Sequence, residues 1–596
     1  MNSEEKHKIL DYVDKYSGVF NDMISQVTKR MMNHQSGGDQ TKALNMPDLS
    51  IQELATSVKV DPQKFVTQQI AFLEKQKMLW QNASKVFMGE DFEPVIKESR
   101  GDKRFSDEDW AGNPAFNYIK QAYLLNAEYM NQLVGAMEFE DKGVEEQVRF
   151  YTRQFINSVS PSNYVLTNPE VCREILSTQG ENLAKGVDNF MRDLDKSPSE
   201  AFRINQVNCD AFELGKDLAH TPGKVIFQNE LIQLIQYTPT TEQVHKTPLL
   251  IIPPFINKFY IMDLDKKKSM VAWLVDQGYS VFMVSWINPD ESFKDFPFDD
   301  YINKGTITAL DVVEEITGQK KINAVGYCVG GTVLGITQAY LATQNDTRLN
   351  SLTFFTTLFD FSEPGEVGTY LTKQMIPMVE QSVNSNGYLD GRILGLGFSL
   401  LRENNLFWSF FIENYLKGKD PMPFDILYWN SDSTNLPAQA FLFYLNNMYM
   451  ENRLIEKGGV TINDTPIDLK DITIPSYSLA AQADHIVLWQ AAYQSSKSLG
   501  GDVRFVLTES GHVAGVINPA SRGKYGHWTN DENTENAAEW LTSADQHEGS
   551  WWNDWQIWLS EKSGSKVKAK KVGAKKKYPA LDDAPGSYVK QRLDDV

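Results

Sequence analysis

A series of short apolar blocks in the second half of the chain constrains the fold most strongly. The blocks are LLIIPPF (249–255), YSVFMVSW (279–286), INAVGY (322–327), LTFFTTLF (352–359), ITIPSYSLAA (472–481) and VRFVLTES (503–510). Runs of this kind are typical of strands buried on both faces of a parallel sheet. Helical stretches such as Ile307–Ile316 and Val333–Ala342 separate several of them. Strand alternating with helix predicts an α/β protein with a doubly wound, mostly parallel sheet.

Two further regions lack this alternation, and 596 residues are too many for one compact core. The N-terminal region carries helical apolar stripes, among them Leu10, Val13, Phe20, Ile24, Val27 and Met31, then Phe65–Trp80 and Phe116–Val134. It is predicted to be a mostly helical domain, serving either as a packing unit or to bind a partner. An aromatic-rich insertion after the fourth core block predicts a cap with a lid over the strand carboxyl ends, or a structural helical subdomain.

The predicted division has five parts. They are an N-terminal domain (1–205), a first part of the core (206–359), the cap and lid insertion (360–470), a second part of the core (471–560), and a basic linker with a C-terminal tail (561–596). Seven lysines within Ser563–Lys577, without an apolar stripe, predict a flexible linker that is solvated or touches an acidic partner. The final residues regain apolar character, which favours docking onto the rest of the chain.

Charge and cysteine content exclude several classes of function. A net charge of −20 argues against a dedicated nucleic-acid binder. Three cysteines are too few for a disulfide framework and fit a reducing compartment, so we expect a cytoplasmic protein. No apolar run approaches the roughly 20 residues of a transmembrane helix, and no apolar signal-peptide core is present. Metal-binding and nucleotide-binding motifs are also missing from the sequence, so no metal or cofactor is expected.

The sharpest motif is Gly326-Tyr327-Cys328-Val329-Gly330-Gly331, between a predicted strand and a predicted helix. A nucleophile flanked by glycines in this context is the nucleophile elbow of α/β hydrolases. Cys328 would then lie at a helix N-terminus, where the helix dipole favours a thiolate. The N–H of Val329 would stabilise an oxyanion. The alternative is a buried structural cysteine beside unrelated glycines.

An elbow of this type needs an acid and a histidine later in the chain, in that order. Asp484 follows one core block and His512 follows the next, and both are predicted to be catalytic. His485 is next to the acid but points the other way on an extended segment. Taken singly, Asp484 is explained by a loop cap and His512 by a turn, but the ordered set of three favours catalysis.

Beyond the elbow, the chain resembles the class I polyhydroxyalkanoate synthases from about residue 105 onward. The matching segments are DWAGNPAFNYIKQAYLL, PPFINKFYIMDL, GYCVGG, YLKGKDPMPFDILYWNSDSTNLP, ADHIV, SGHVAGVINP and GSWWNDWQIWL. Two positions depart from the family pattern. Phe255 stands where many members have cysteine, and Leu488 stands where proline is common. Both flank the predicted site, so they bear on substrate preference and rate.

The resemblance implies an α/β-hydrolase core with a mobile lid, a separate N-terminal domain, and homodimers. It implies that (R)-3-hydroxyacyl-CoA, of short chain length, is joined into polyester with release of CoA, with granule association and granule-associated protein partners. By matching motif, the resemblance implies that Cys328 is the nucleophile that holds the acyl chain, that His512 activates Cys328, and that Asp484 assists.

Further residues are assigned to oxyanion or substrate binding: Val329, Ile256, Asn257, Arg402 and His485. Arg402 is a candidate for the CoA phosphates, or else a surface arginine without a ligand. Two other classes stay open. One is a cysteine-nucleophile esterase or thioesterase. The other is a non-catalytic granule protein, which the intact set of Cys328, Asp484 and His512 disfavours.

Overall fold

The structure is a computed structural model that describes residues 3–15, 58–87, 93–198, 202–371, 376–532 and 534–593. It divides into two compact units, Met1–Asn208 with Leu396–Met422, and Cys209–Gly395 with Pro423–Val596. The predicted stripe residues Phe20, Ile24, Val27 and Met31 lie outside the described residues. No helix within the described ranges is long and apolar enough to cross a membrane.

The first unit is mostly helical, as predicted. Its α-helices of seven or more residues among the described residues before 209 are α1 (Ser3–Lys15), α2 (Pro62–Phe87), α3 (Pro114–Gly135), α4 (Lys142–Ser158), α5 (Pro169–Thr178) and α6 (Glu181–Lys196). Helix α3 contains the predicted stripe Phe116–Val134, and its start is capped: the Asn113 side chain accepts a hydrogen bond from the Ala115 N–H, and Pro114 occupies the first turn. A buried cluster including Trp110, Ile175 and Leu416 forms part of its core.

The second unit is built around an eleven-stranded sheet. Its strands are β1 (Gly223–Gln228), β2 (Ile232–Tyr237), β3 (Leu249–Ile252), β4 (Val281–Trp286), β5 (Ile322–Tyr327), β6 (Leu349–Phe355), β7 (Ser476–Ala481), β8 (Val503–Thr508), β9 (His527–Thr529), β10 (Asp545–His547) and β11 (Asp582–Asp583). They lie in the order β10-β9-β8-β7-β6-β5-β3-β4-β2-β1-β11. From β8 to β4 all neighbours are parallel, and the pairs outside this block are antiparallel. The predicted α/β fold with a mostly parallel central sheet is confirmed.

Helices lie between many of these strands and throughout the insertion, part of which (Leu396–Met422) belongs to the first unit. The α-helices of seven or more residues described here are α7 (Met270–Asp276), α8 (Thr308–Thr317), α9 (Val329–Thr343), α10 (Ile376–Asn386), α11 (Gly391–Leu401), α12 (Asp425–Ser431), α13 (Ala438–Tyr444), α14 (Trp489–Lys497) and α15 (Trp552–Glu561). Wider π-helical turns occupy Tyr301–Ile307, Asn404–Trp408, Phe411–Leu416 and Leu445–Met450. Because parallel strands share one carboxyl edge, the loops after β3, β5, β7 and β8 meet there.

The division into units departs from the predicted division within the insertion. Leu396–Met422 clusters with the N-terminal residues rather than with the sheet. The reason is close backbone contact with α6: a Cβ on Gly186 would lie 2.7 Å from the carbonyl carbon of Tyr415. The Asn182 side chain also donates to the Leu416 carbonyl at 2.7 Å, and the Tyr415 hydroxyl donates to Asp193 at 2.6 Å.

The lysine-rich segment also differs from the flexible linker that we predicted. Lys566–Lys568 pairs in antiparallel register with Gln243–His245, and β11 pairs with β1. Lys577 forms an ion pair with Glu315. Main-chain pairing needs no apolar stripe, which is why the local composition concealed it. The predicted docking of the final residues is present, since Tyr588 and Val589 are buried.

Candidate active site

Cys328 occupies a strained turn between β5 and α9. Its backbone angles are φ 53° and ψ −126°, a region that non-glycine residues rarely adopt. Two hydrogen bonds hold the turn: the Cys328 N–H donates to the Phe355 carbonyl at 2.9 Å, and the Cys328 carbonyl accepts from the Gly331 N–H at 2.8 Å. Strain maintained in this way projects the side chain from the end of the strand.

The glycines around Cys328 are required by close packing. A Cβ on Gly326 would lie 2.8 Å from the Gly330 carbonyl oxygen, and one on Gly330 would lie 2.5 Å from the Pro253 carbonyl oxygen. A Cβ on Gly331 would overlap the side chain of Thr357. Strand, helix and neighbouring loops therefore approach closely enough to fix the Cys328 turn on all sides.

The position of Cys328 at a helix N-terminus is electrostatically favourable for an anion. Cys328 is the N-cap of α9, and its carbonyl accepts from the N–H groups of Gly331 and Thr332. The N–H groups of Val329 and Gly330 have no acceptor within the helix. These groups and the helix dipole stabilise negative charge on a thiolate or on a nearby oxyanion. Cys328 is half-buried rather than sealed in the core.

Asp484 and His512 lie together at the same sheet edge, in the loops after β7 and β8. Their Oδ2 and Nδ1 atoms are 2.7 Å apart. The other Asp484 oxygen accepts from the N–H groups of Ile486 and Val487 at 2.8 and 2.9 Å. The Asp484 side chain is fully buried. The carboxylate is therefore held in one orientation and directs its free lone pairs at the imidazole.

The charges around His512 favour its protonated form. Burial alone would lower the pKa of His512, but the Asp484 carboxylate and Cys328 together raise that pKa well above its usual value. The Tyr327 hydroxyl donates to the His512 carbonyl at 2.9 Å, and the two rings stack with centroids 5.7 Å apart and an interplanar angle of 26°. A histidine whose protonated form is stabilised in this way can donate a proton to a bound group.

Of the two histidines considered as the base, His512 makes the hydrogen bond to Asp484. His485 is half-buried, and its carbonyl faces Gly365, on which a Cβ would lie 3.1 Å away. Ile256 and Asn257 follow β3 at the same edge as Cys328. The Ile256 carbonyl accepts from the Thr434 N–H at 3.3 Å, and Asn257 forms an antiparallel bridge with Ser433.

Arg402 is placed differently. It is exposed and belongs to the first unit, whereas Cys328, Asp484 and His512 belong to the second.

Two tyrosines near Cys328 were missed at the level of sequence. Burial raises the pKa of both Tyr444 and Tyr449, and both hydroxyls are close enough to Cys328 to interact with it electrostatically. Their rings lie 5.9 and 5.0 Å from that of Phe361, and the Tyr444 hydroxyl is 3.5 Å from the Thr332 hydroxyl. Together they form an aromatic wall beside the thiol. The aromatic density of residues 441–450 was the available signal.

Comparison with known proteins assigns the chain to a family. Residues 101–274 match the model of the "Poly-beta-hydroxybutyrate polymerase (PhaC) N-terminus", and residues 247–519 match the α/β hydrolase fold. The chain is 41% identical over 532 residues to a poly(3-hydroxyalkanoate) polymerase subunit of Rhizobium meliloti (strain 1021), covering 89% of this chain and 86% of that one.

Two further relatives have the same kind of name. A poly(3-hydroxyalkanoate) polymerase of Methylorubrum extorquens is 41% identical, with 89% of this chain and 88% of the relative covered. The polymerase subunit of Cupriavidus necator is 39% identical, with 94% of both chains covered. Similarity of this extent over nearly the whole chain leaves one conclusion: the chain belongs to the poly(3-hydroxyalkanoate) polymerase family, a family of acyltransferase enzymes.

Proposed function

We propose that this chain polymerises short-chain (R)-3-hydroxyacyl-CoA into polyhydroxyalkanoate through an acyl-cysteine intermediate on Cys328. The observation that carries the proposal is a cysteine in a nucleophile elbow together with the Asp484–His512 pair, in a chain of this family. No cofactor is required, since the CoA thioester is itself the activated substrate.

In the first step the Cys328 thiolate attacks the thioester carbonyl. A new C–S bond forms, the bond to the CoA sulfur breaks, and the leaving thiolate takes a proton from His512. Because the attacking and leaving sulfurs are chemically alike, the free-energy change of the exchange is small. The Val329 N–H is placed to stabilise the oxyanion of the tetrahedral intermediate.

In the second step the 3-hydroxyl of one unit attacks the acyl thioester of another. His512, assisted by Asp484, removes the hydroxyl proton as the new ester bond forms, and the sulfur is displaced. Water that attacked the thioester in place of this hydroxyl would end the growth of the polyester. The aromatic wall of buried Phe361 and half-buried Tyr444 and Tyr449 supports the proposal, because it limits water near the thiol.

One experiment tests the activity. The purified chain is incubated with 3-hydroxyacyl-CoA substrates of increasing acyl length while thiol release and insoluble polymer are recorded together. We expect CoA release and polymer in parallel, greatest with short acyl groups. CoA release with free hydroxyacid as the only product would instead identify a cysteine esterase or thioesterase. Absence of CoA release would identify a non-catalytic protein.

Arg402 remains our proposed contact for the CoA phosphates, because a guanidinium pairs with phosphate in a forked geometry. The Arg402→Ala variant should raise the Michaelis constant for the CoA substrate about three- to tenfold, with little change in the rate at saturation. Lys419→Ala, an exposed cation in the same unit, is the matched control. An unchanged Michaelis constant would remove Arg402 from the site.

We assign granule association in the cytoplasm and contacts with a second copy to the first unit. Helix α2 carries six exposed large apolar side chains, and four of them recur at helical spacing along one face: Val66, Ile70, Leu73 and Trp80. We call these four the α2 stripe. An exposed apolar face of this kind favours contact with another apolar surface, and the polyester product is such a surface. The homodimer is a further proposal, tested by sedimentation of the chain before polymer forms.

A further inference from the structure

A buried ion pair lies beside the loop that follows β3. Lys258 Nζ and Asp432 Oδ1 are 2.7 Å apart, and their side chains are only 2% and 1% exposed. The Tyr260 hydroxyl donates to the second Asp432 oxygen at 2.8 Å. A buried pair of charges is stable only when its remaining hydrogen-bonding groups are satisfied. The partners of Lys258 and Asp432 therefore matter as much as the pair itself.

Part of that set comes from a distant part of the chain. We define the tail segment as Gly586–Leu593. Its Gln591 carbonyl accepts from Lys258 Nζ at 2.6 Å. Its Arg592 guanidinium donates to the Tyr428 hydroxyl at 2.8 Å and lies over the Tyr428 ring, 5.0 Å from its centroid.

The Arg592 charge also faces Asp432. Burial alone would lower the pKa of Arg592, but the Asp432 carboxylate raises it. The tail segment thus adds an acceptor for the lysine and a second cation for the aspartate.

The other end of the tail segment is fixed to the sheet. The Ser587 and Tyr588 N–H groups donate to the Gln233 side-chain oxygen at 3.0 and 3.1 Å, and the Tyr588 hydroxyl donates to the Asn229 carbonyl at 2.6 Å. Gly586 has φ 81°, and a Cβ there would lie 2.8 Å from Val225. These contacts fix the positions of Gln591 and Arg592 beside the Lys258–Asp432 pair.

The ion pair in turn supports the loop after β3. Asp432 is followed by Ser433, which bridges to Asn257, and by Thr434, whose hydroxyl donates to the Phe255 carbonyl at 2.5 Å. In α/β hydrolases the loop after this strand provides the second oxyanion N–H, beside the one that follows the nucleophile. A displaced loop would therefore weaken stabilisation of the tetrahedral intermediate without altering the thiolate.

We propose that Gln591 and Arg592 are positioning residues for acyl transfer. By completing the buried Lys258–Asp432 pair, they hold the Phe255–Asn257 loop beside Cys328 in the geometry that thioester attack requires. This inference rests on the proposed function and concerns the same site. It gives the tail segment a part in the chemistry although no tail side chain touches the reacting atoms.

The test compares two reactions of the same thiol. Acylation by a 3-hydroxyacyl-CoA needs the oxyanion donors, whereas alkylation of Cys328 by iodoacetamide does not. In a chain ending at Pro585, single-turnover CoA release should fall by roughly tenfold or more, since a small misplacement near the reacting atoms is costly. The Michaelis constant and the alkylation rate should stay within about twofold of the intact chain.

Point variants extend the comparison. Arg592→Ala should slow acylation about three- to tenfold, and Arg592→Lys should recover part of that loss. Lys590→Ala is the matched control, because Lys590 is an exposed cation in the same segment. A synthetic peptide of residues 586–596, added to the truncated chain, should restore CoA release.

Two results would overturn the inference. Acylation at the intact rate in both the truncated chain and Arg592→Ala would show that the tail segment does not position the loop. A parallel loss of alkylation and acylation in both would assign it a purely structural role. If the truncated chain does not fold, the acylation and alkylation rates of Arg592→Ala alone decide whether the inference holds. An intact chain that releases no CoA contradicts the proposed function instead.

Discussion

The carboxyl edge of the main sheet and the α2 stripe use side chains in opposite ways. At the sheet edge, a polar group such as the Asp484 side chain is wholly removed from water and makes three hydrogen bonds. On α2, Ile70 and Trp80 are 53% and 63% exposed although they are apolar. The function of the sheet edge depends on the position of each atom, whereas the function of the α2 stripe depends on the total exposed apolar area. Substitutions at the sheet edge should therefore change the reaction rate, and substitutions on the α2 stripe should change association with other surfaces.

Removal of the proposed nucleophile should have the largest effect. Cys328→Ala should lower CoA release by about a thousandfold or more, since no other group can hold the acyl chain. Cys209→Ala and Cys172→Ala serve as controls and should stay near the unmodified rate. Burial raises the pKa of Cys172 to about 11, so its thiol stays protonated at neutral pH. Substantial polymer from Cys328→Ala would refute the assignment.

Asp484→Asn should separate the two chemical steps. An asparagine can keep a hydrogen bond to His512 but loses the charge that supports its proton transfer. Acylation by a thiolate needs that charge less than deprotonation of an alcohol does. We therefore expect single-turnover acylation to persist while steady-state polymerisation falls about a hundredfold. Equal losses in both steps would show that Asp484 chiefly orients His512.

The raised pKa of His512 predicts a dependence of stability on pH. Its stabilising contribution is fully present below the unfolded pKa of about 6.5 and is lost as pH rises through the folded value. Urea unfolding across neutral to alkaline pH should show this loss, and His512→Gln should remove it.

His527 is the matched control for that measurement, because burial lowers its pKa. Its contribution is lost as pH falls, so His527→Gln should leave the alkaline decline of the unfolding free energy in place. An alkaline decline that survives His512→Gln would show that another group, not His512, causes it.

Substitution of the α2 stripe should have the smallest effect on chemistry. The combined variant Val66→Ser, Ile70→Ser and Leu73→Ser should release CoA within about twofold of the unmodified chain. Co-sedimentation with preformed polymer should decrease several-fold.

The control for the stripe is Lys64→Ser, Thr67→Ala and Lys85→Ser, at exposed polar positions of the same helix that lie about 100° or more around the helix axis from the middle of the stripe. This variant should sediment with polymer normally. If both triple variants bind polymer equally well, the stripe is not the contact surface.

The elbow and the order of its partners could be predicted because their physical requirements are local. Glycines at 326, 330 and 331 are needed wherever a strand turns sharply into a helix, and that spacing is visible in the sequence. The pairing of Asp484 with His512 was predicted from the order of residues after successive strands, whereas its 2.7 Å distance comes from the fold.

Other features could not be predicted because they depend on contacts between distant segments. Leu396–Met422 belongs to the first unit because of the close approach of Gly186 to Tyr415, although the segment lies within the predicted insertion. The pairing of Lys566–Lys568 with Gln243–His245 leaves no local apolar pattern. Tyr444 is one of many aromatic residues in its segment, and only the fold places it beside Cys328.

The pairing of β11 with β1 has a consequence for how the chain folds. Val225 and Asp582 are partners across nearly the whole of the second unit's sequence. Closing so large a loop has a high entropic cost, and contacts of such long range form slowly. Until they form, the outer edge of β1 exposes unpaired N–H and carbonyl groups to which another chain can add. Refolding yield should therefore fall as protein concentration rises, because aggregation at this edge competes with closure by the chain's own last strand.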